Sequence, residues 1–82
     1  MKRVQLDEAY VLHRRAYRET SFLLEIFSKS HGRVSLIARG ARKERSQTQG
    51  LLQPFIPLLL SWAGSGELMT LTQVEVKKAA LR

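Results

Sequence analysis

Apolar and polar residues alternate over five short stretches of this chain, and turn-forming residues separate most of them. The first stretch is Glu8 to Arg15, EAYVLHRR, with Tyr10 and Leu12 on one face and Ala9, Val11 and His13 on the other. Residues Met1 to Leu6 read as a lead-in to it. The second is Ser21 to Ser28, SFLLEIFS. Phe22, Leu24 and Ile26 line one side, and Leu23, Glu25 and Phe27 line the other. With Glu25 the only charged residue, this strand is expected to be covered on much of both faces. The third is Arg33 to Arg39, where Val34, Leu36 and Ala38 oppose Arg33, Ser35, Ile37 and Arg39. Between the second and third lies only KSHG, residues 29–32, a tight turn that predicts an antiparallel hairpin.

A polar stretch, GARKERSQTQG over Gly40 to Gly50, has no apolar period and reads as a long loop. A short helical turn is expected at Leu51 to Gln53, ended by Pro54. The fourth strand is placed at Phe55 to Trp62, with Pro57 near its start, because proline cannot donate to a ladder. Its face is Leu58, Leu60 and Trp62. AGSG, residues 63–66, makes the next turn. The fifth strand is placed at Glu67 to Glu75, with Met69, Leu71 and Gln73 alternating against Leu68, Thr70, Thr72 and Val74. Residues 77–82 are good helix formers and are expected to start a helix leading into a further domain, with residues 1–76 as the barrel domain.

Five short strands with a longer excursion between the third and fourth suggest a small closed all-β barrel, since closure removes exposed strand edges. The OB-fold has this arrangement and often binds oligonucleotides. Strand count alone leaves an SH3-like barrel open as the alternative.

Composition narrows the function. The chain has 82 residues, enough for one small domain, and no cysteine, so no disulfide and no cysteine-based zinc site reinforces it. This fits a reducing cytoplasm. No apolar run approaches the roughly 20 residues of a membrane helix, and MKRVQLDEAY lacks the apolar segment of a signal peptide. Fourteen Lys and Arg against seven Asp and Glu give a net charge of +7. Its distribution is one-sided. Arg14, Arg15, Arg18, Lys29, Arg33, Arg39, Arg42, Lys43 and Arg45 fall in one span, opposed there only by Glu19, Glu25 and Glu44. From Ser46 to Val76 there is no Lys or Arg. Such asymmetry suits a polyanion, nucleic acid being the commonest, although basic loops are often merely solvated.

Catalysis is not expected, nor are a metal or cofactor. His13 and His31 lack cysteine companions and read as a strand-face and a turn residue. Most carboxylates are scattered singly. GARKERS lacks the second glycine of a phosphate loop. The aromatics Tyr10, Phe22 and Trp62 sit on apolar alternations and are assigned to the core. Tyr17 lies in a polar connection between Arg15 and Arg18 and is the candidate for stacking on a base; Phe27 is a second.

Three stretches go further. VLHxRxYxETS, GRVxLIARGAR and LQPFxPL stand in that order across most of the chain. With them the chain resembles the N-terminal domain of the RecO family of bacterial recombination mediators. The resemblance implies an OB-fold that binds single- and double-stranded DNA, within a protein of DNA repair and recombination that anneals complementary strands. It implies RecR as a partner in loading the RecA recombinase onto DNA coated by single-strand binding protein. It implies a following helical domain, often with a zinc segment, and places the site for the single-strand binding protein there. The family's basic surface maps onto Arg14, Arg15, Arg18, Arg33, Arg39, Arg42, Lys43 and Arg45. The competing expectation is a module that docks RecR, through Leu51, Leu52 and Phe55 of the half without cations.

Overall fold

In the computed structural model, which describes residues 2–43 and 46–77, five strands close into a barrel. They are β1 (Lys2–Tyr17), β2 (Ser21–Ser28), β3 (Gly32–Ala38), β4 (Leu58–Gly64) and β5 (Leu68–Val76), in the cyclic order β1-β2-β3-β5-β4. The expected antiparallel β2–β3 hairpin forms, in register from Phe22 opposite Ala38 to Ser28 opposite Gly32, with Gly32 already in the strand. A short parallel pairing of β3 with β5, Ser35 to Ile37 beside Leu68 to Thr70, completes the ring. This is the all-β, OB-like arrangement. A single-turn helix, α1 (Thr48–Leu51), interrupts the excursion between β3 and β4.

The strand β1 is twice the length its sequence pattern suggests. Its first half pairs with β4, from Lys2 opposite Gly64 to Ala9 opposite Leu58. Its second half pairs with β2, from Ala9 opposite Ser28 to Tyr17 opposite Ser21. One strand can serve two partners only if it bends, and β1 carries an irregularity in each half. The first lies between Val4 and Asp7, where Leu6 takes φ +48° and donates its N–H to Ser61 Oγ at 2.8 Å. This turns Leu6 outward and hides the alternation, so residues 2–6 read as a lead-in. The second lies between Val11 and His13, and it reverses the faces of everything after it.

Two other boundaries shift for physical reasons. Pro54 makes only an isolated parallel bridge with Val11, and Phe55 has φ +67°, so the ladder of β4 begins after Pro57 rather than at Phe55. In β5 the register slips opposite Ser61 and Trp62, so the inward series runs Met69, Leu71, then Val74 instead of Gln73. The helical turn falls at 48–51 rather than 51–53. The expected helix start lies at 77–82, of which 78–82 are outside the described residues.

The core is what the alternations select. Phe22, Leu24 and Ile26 from β2, Leu36 and Ala38 from β3, and Leu58, Leu60 and Trp62 from β4 are buried together with Ala9, Val11, Ala41 and Leu52. Each fully buried large side chain contributes about 1.5–3 kcal/mol over exposure. Leu52 closes one end of the barrel, directly after α1. It is therefore core and not part of an apolar docking patch with Leu51 and Phe55. Tyr10 departs from expectation the other way. Ala9 and Val11 take the inward positions, which leaves Tyr10 on the outer surface.

Candidate nucleic-acid interface

Directly opposed residues of an antiparallel pair share a face. On the outside of β1 and β2 this gives, in order, Tyr10 with Phe27, His13 with Glu25, Arg15 with Leu23 and Tyr17 with Ser21. The outer face of β3 adds Arg33, Ser35 and Ile37. The β2–β3 register sets Phe22 against Ala38, so the turn after β1 and the loop after β3 leave the barrel side by side. Between them lies a groove of about 490 Å³ lined by Tyr17, Arg18, Thr20, Ser21, Ile37, Arg39, Gly40 and Lys43.

Local chemistry fixes the groove. Arg18 has φ +56°, uncommon for a non-glycine residue, and its guanidinium carbon stands 5.2 Å from the centre of the Tyr17 ring. Gly40 has φ +70°, which glycine adopts without strain, and the Lys43 stem lies where a Cβ would meet its Cε at 3.5 Å. Arg42 fastens the two loops together. Its backbone N–H donates to the Thr20 carbonyl at 2.8 Å, and its guanidinium donates to the carbonyls of Arg18 at 3.0 Å and Ser21 at 3.4 Å. Gly40 N–H donates to Ser21 Oγ at 3.4 Å beneath.

Four of the expected DNA-binding residues thus meet in one groove: Tyr17, Arg18, Arg39 and Lys43. Arg15 is exposed on the same outer face, opposite Leu23. The others are placed elsewhere. Arg14 follows the irregularity in β1, so it stands opposite buried Leu24 on the inward side. There its guanidinium carbon lies 4.6 Å from the centre of the Phe22 ring, and Nη1 donates to the Gln49 carbonyl at 3.0 Å. These contacts link the second half of β1 to α1. Arg33 is on the outer face of β3 but at the end away from the groove, 3.9 Å from Glu25. Arg45 is outside the described residues. Thr20, Ser21 and Ile37 were not expected in the site. The signal for them was the hairpin register, which brings the two connections together.

The far end of the same strands is built on carboxylates. Asp7 accepts hydrogen bonds from the hydroxyl of Ser28 and from the hydroxyl and N–H of Ser30, the last two at 2.8 and 3.2 Å. His31 Nδ1 lies 3.8 Å from Asp7, with its ring edge-on to Trp62. Burial raises the Asp7 carboxyl, but the Ser28 and Ser30 hydrogen bonds together with His31 more than offset it and hold it below the ordinary value of 3.8. The hydrogen bond from Lys77, with the charge of Lys29, lowers Glu8 in the same direction.

Among the described residues no group of three or more His, Cys, Asp or Glu is placed to hold a metal, and no helix is long and apolar enough to cross a membrane. An OB-like barrel with a cationic, aromatic-edged groove at the end of its first hairpin defines a class: small barrels with a surface suited to a polyanion. Comparison with known proteins narrows it. The family model for the N terminus of recombination protein O matches residues 1–80, and the chain belongs to that family. It is 55% identical over 80 residues to the DNA repair protein RecO of Methylococcus capsulatus, covering 98% of this chain and 33% of the relative. Against the DNA repair protein RecO of Nitrosococcus oceani identity is 58% over 73 residues, 89% of this chain and 30% of the relative. Against that of Pasteurella multocida it is 56% over 75 residues, 92% and 31%. The chain therefore spans about a third of the length of these relatives.

Proposed function

We propose that this chain is the non-catalytic DNA-binding barrel of a DNA repair and recombination protein. The observation that carries the reading is the convergence of Tyr17, Arg18, Arg39 and Lys43 on one groove. Among the described residues no carboxylate lies within ion-pair distance of those three cations. Phosphates then neutralise Arg18, Arg39 and Lys43 and release counterions, while the Tyr17 ring offers a face to a base. None of these groups is arranged to read a pattern of base edges, so binding is independent of sequence. A surface that grips two strands through their phosphates suits the annealing of complementary strands. In the full-length protein this barrel would act with RecR in loading RecA onto single-stranded DNA.

The test is fluorescence anisotropy of labelled single-stranded and duplex DNA over a salt series. The expected result is binding of both, with a steep negative slope of log affinity against log salt. Charge reversal at Arg39 and Lys43 should flatten that slope. A folded chain that binds neither DNA at low salt would move the DNA site out of this barrel.

A further inference from the structure

Half of the chain's six aromatic residues gather on the surface away from the basic groove. Tyr10, Phe27 and Phe55 form a contiguous cluster, with ring centres 6.1 Å apart for Tyr10 and Phe27 and 5.9 Å for Tyr10 and Phe55. Phe55 is 66% exposed, the most of any large apolar residue described. Its display is enforced by the backbone. A φ of +67° is unusual for a bulky side chain, and it is held by the Phe55 N–H donating to the Val11 carbonyl at 2.9 Å and by the bridge of Pro54 to Val11. Strained positions persist where the surrounding structure over-determines them, and they concentrate at functional sites.

The position of the cluster selects its occupant. Tyr10 and Phe27 are opposed on the outer face of β1 and β2, and that face continues through Arg15 to Tyr17 at the groove. At about 3.3 Å per residue the two ends lie roughly 20 Å apart along one ribbon. An OB barrel engages from about 4 nucleotides upward, so a short single strand spans both. The cations at the cluster, Lys29 and Lys77, both face Glu8, at 4.0 and 2.8 Å. One carboxylate serves both lysines, so a positive charge remains beside the exposed ring faces, and those faces are what the cluster adds to the cations of the groove.

We propose that Tyr10, Phe27 and Phe55 form a base-stacking platform that gives this barrel its preference for single-stranded over duplex DNA. The proposal rests on the DNA-binding reading of the groove and adds a second subsite to it. In a duplex the base faces are already stacked, so duplex DNA meets only the groove. A single strand meets both, and the platform's share of its affinity is insensitive to salt.

The experiment compares the full chain with its Phe55→Ala, Phe55→Leu and Phe55→Trp variants, each first shown folded by circular dichroism. The probes are labelled oligo-dT, an abasic strand of equal length and a duplex. Phe55→Ala and Phe55→Leu should weaken oligo-dT binding about 5- to 100-fold with an unchanged salt slope, and Phe55→Trp should retain it. Duplex and abasic-strand binding should be the same for all four proteins. Phe55→Leu binding oligo-dT as tightly as the parent overturns the platform and leaves the groove standing; the cluster would then be a protein contact. Equal losses for oligo-dT and duplex also overturn it. A parent chain that binds none of the three probes defeats the groove reading and the platform with it.

Discussion

The two ends of the β1–β2–β3 sheet are made from similar materials and treat charge in opposite ways. Around the β2–β3 turn, three cations are set against carboxylates. Lys29 and Lys77 share Glu8, and Arg33 faces Glu25. At the other end Arg42 is held by backbone carbonyls, Arg18 lies over Tyr17, and Arg39 and Lys43 line open space. Carbonyls and rings position a cation without cancelling it. Among the described residues, three cations without a carboxylate partner thus stand together on one groove. Net charge alone could not reveal this, because the cations that count are those whose partners are neutral.

The comparison is broken most severely by reversing charge where it is unmatched. Arg39→Glu with Lys43→Glu should lower DNA affinity roughly a hundredfold at 50 mM salt and reduce the salt slope by about two, read by anisotropy. Next comes the fastening between the loops. Arg42→Ala removes two guanidinium bonds to carbonyls and should destabilise the barrel by about 1–3 kcal/mol in urea titration. It should also lower DNA affinity by more than one cation's share, because the groove walls separate.

At the matched end the effects are smaller and belong to stability. Asp7 has a depressed folded-state value, so its contribution is full above the ordinary carboxylate value of 3.8 and is lost as the pH falls through the folded value beneath it. Asp7→Asn should cost about 1 kcal/mol at neutral pH and abolish that part of the acid transition, without altering DNA binding. The smallest effect should come from Arg33→Ala. Its ion pair with Glu25 is largely exposed, and such pairs contribute about 0–1 kcal/mol. DNA affinity should stay within about twofold of the parent. A large loss there would extend the binding surface along the whole of β3.

Much of this was legible in the sequence, for an identifiable reason. The segment Ser21–Ser28 has unbroken alternation, and the strand begins and ends where the pattern does. Arg18, Arg39 and Lys43 could be named because they fall in the one basic span, and Tyr17 because it lies in a polar connection between two of its arginines. Arg14 stands outside the groove because one extra residue in β1, between Val11 and His13, turns every later side chain over, and no residue there marks an irregularity. Tyr10 was misread because both faces of that strand carry apolar residues, and the larger ones suggested the core. Phe55 reads as the start of a strand until its φ is known. Irregular backbone is where pattern reasoning fails, and here two of the three non-glycine positive-φ residues among the described residues, Arg18 and Phe55, stand at the two proposed contact surfaces.

The double service of β1 also bears on how the chain acquires its shape during synthesis. The β1–β2–β3 meander needs only neighbouring residues and can pair soon after it is made. The first half of β1 finds its partner only when residues up to Gly64 exist, and β5 must follow to complete the ring. Pairings between distant segments slow folding, toward milliseconds to seconds for small barrels. A nascent chain emerging from the ribosome would therefore hold an open, edge-exposed sheet for the time taken to translate residues 39–76, and that interval is when it most needs protection from pairing with its neighbours.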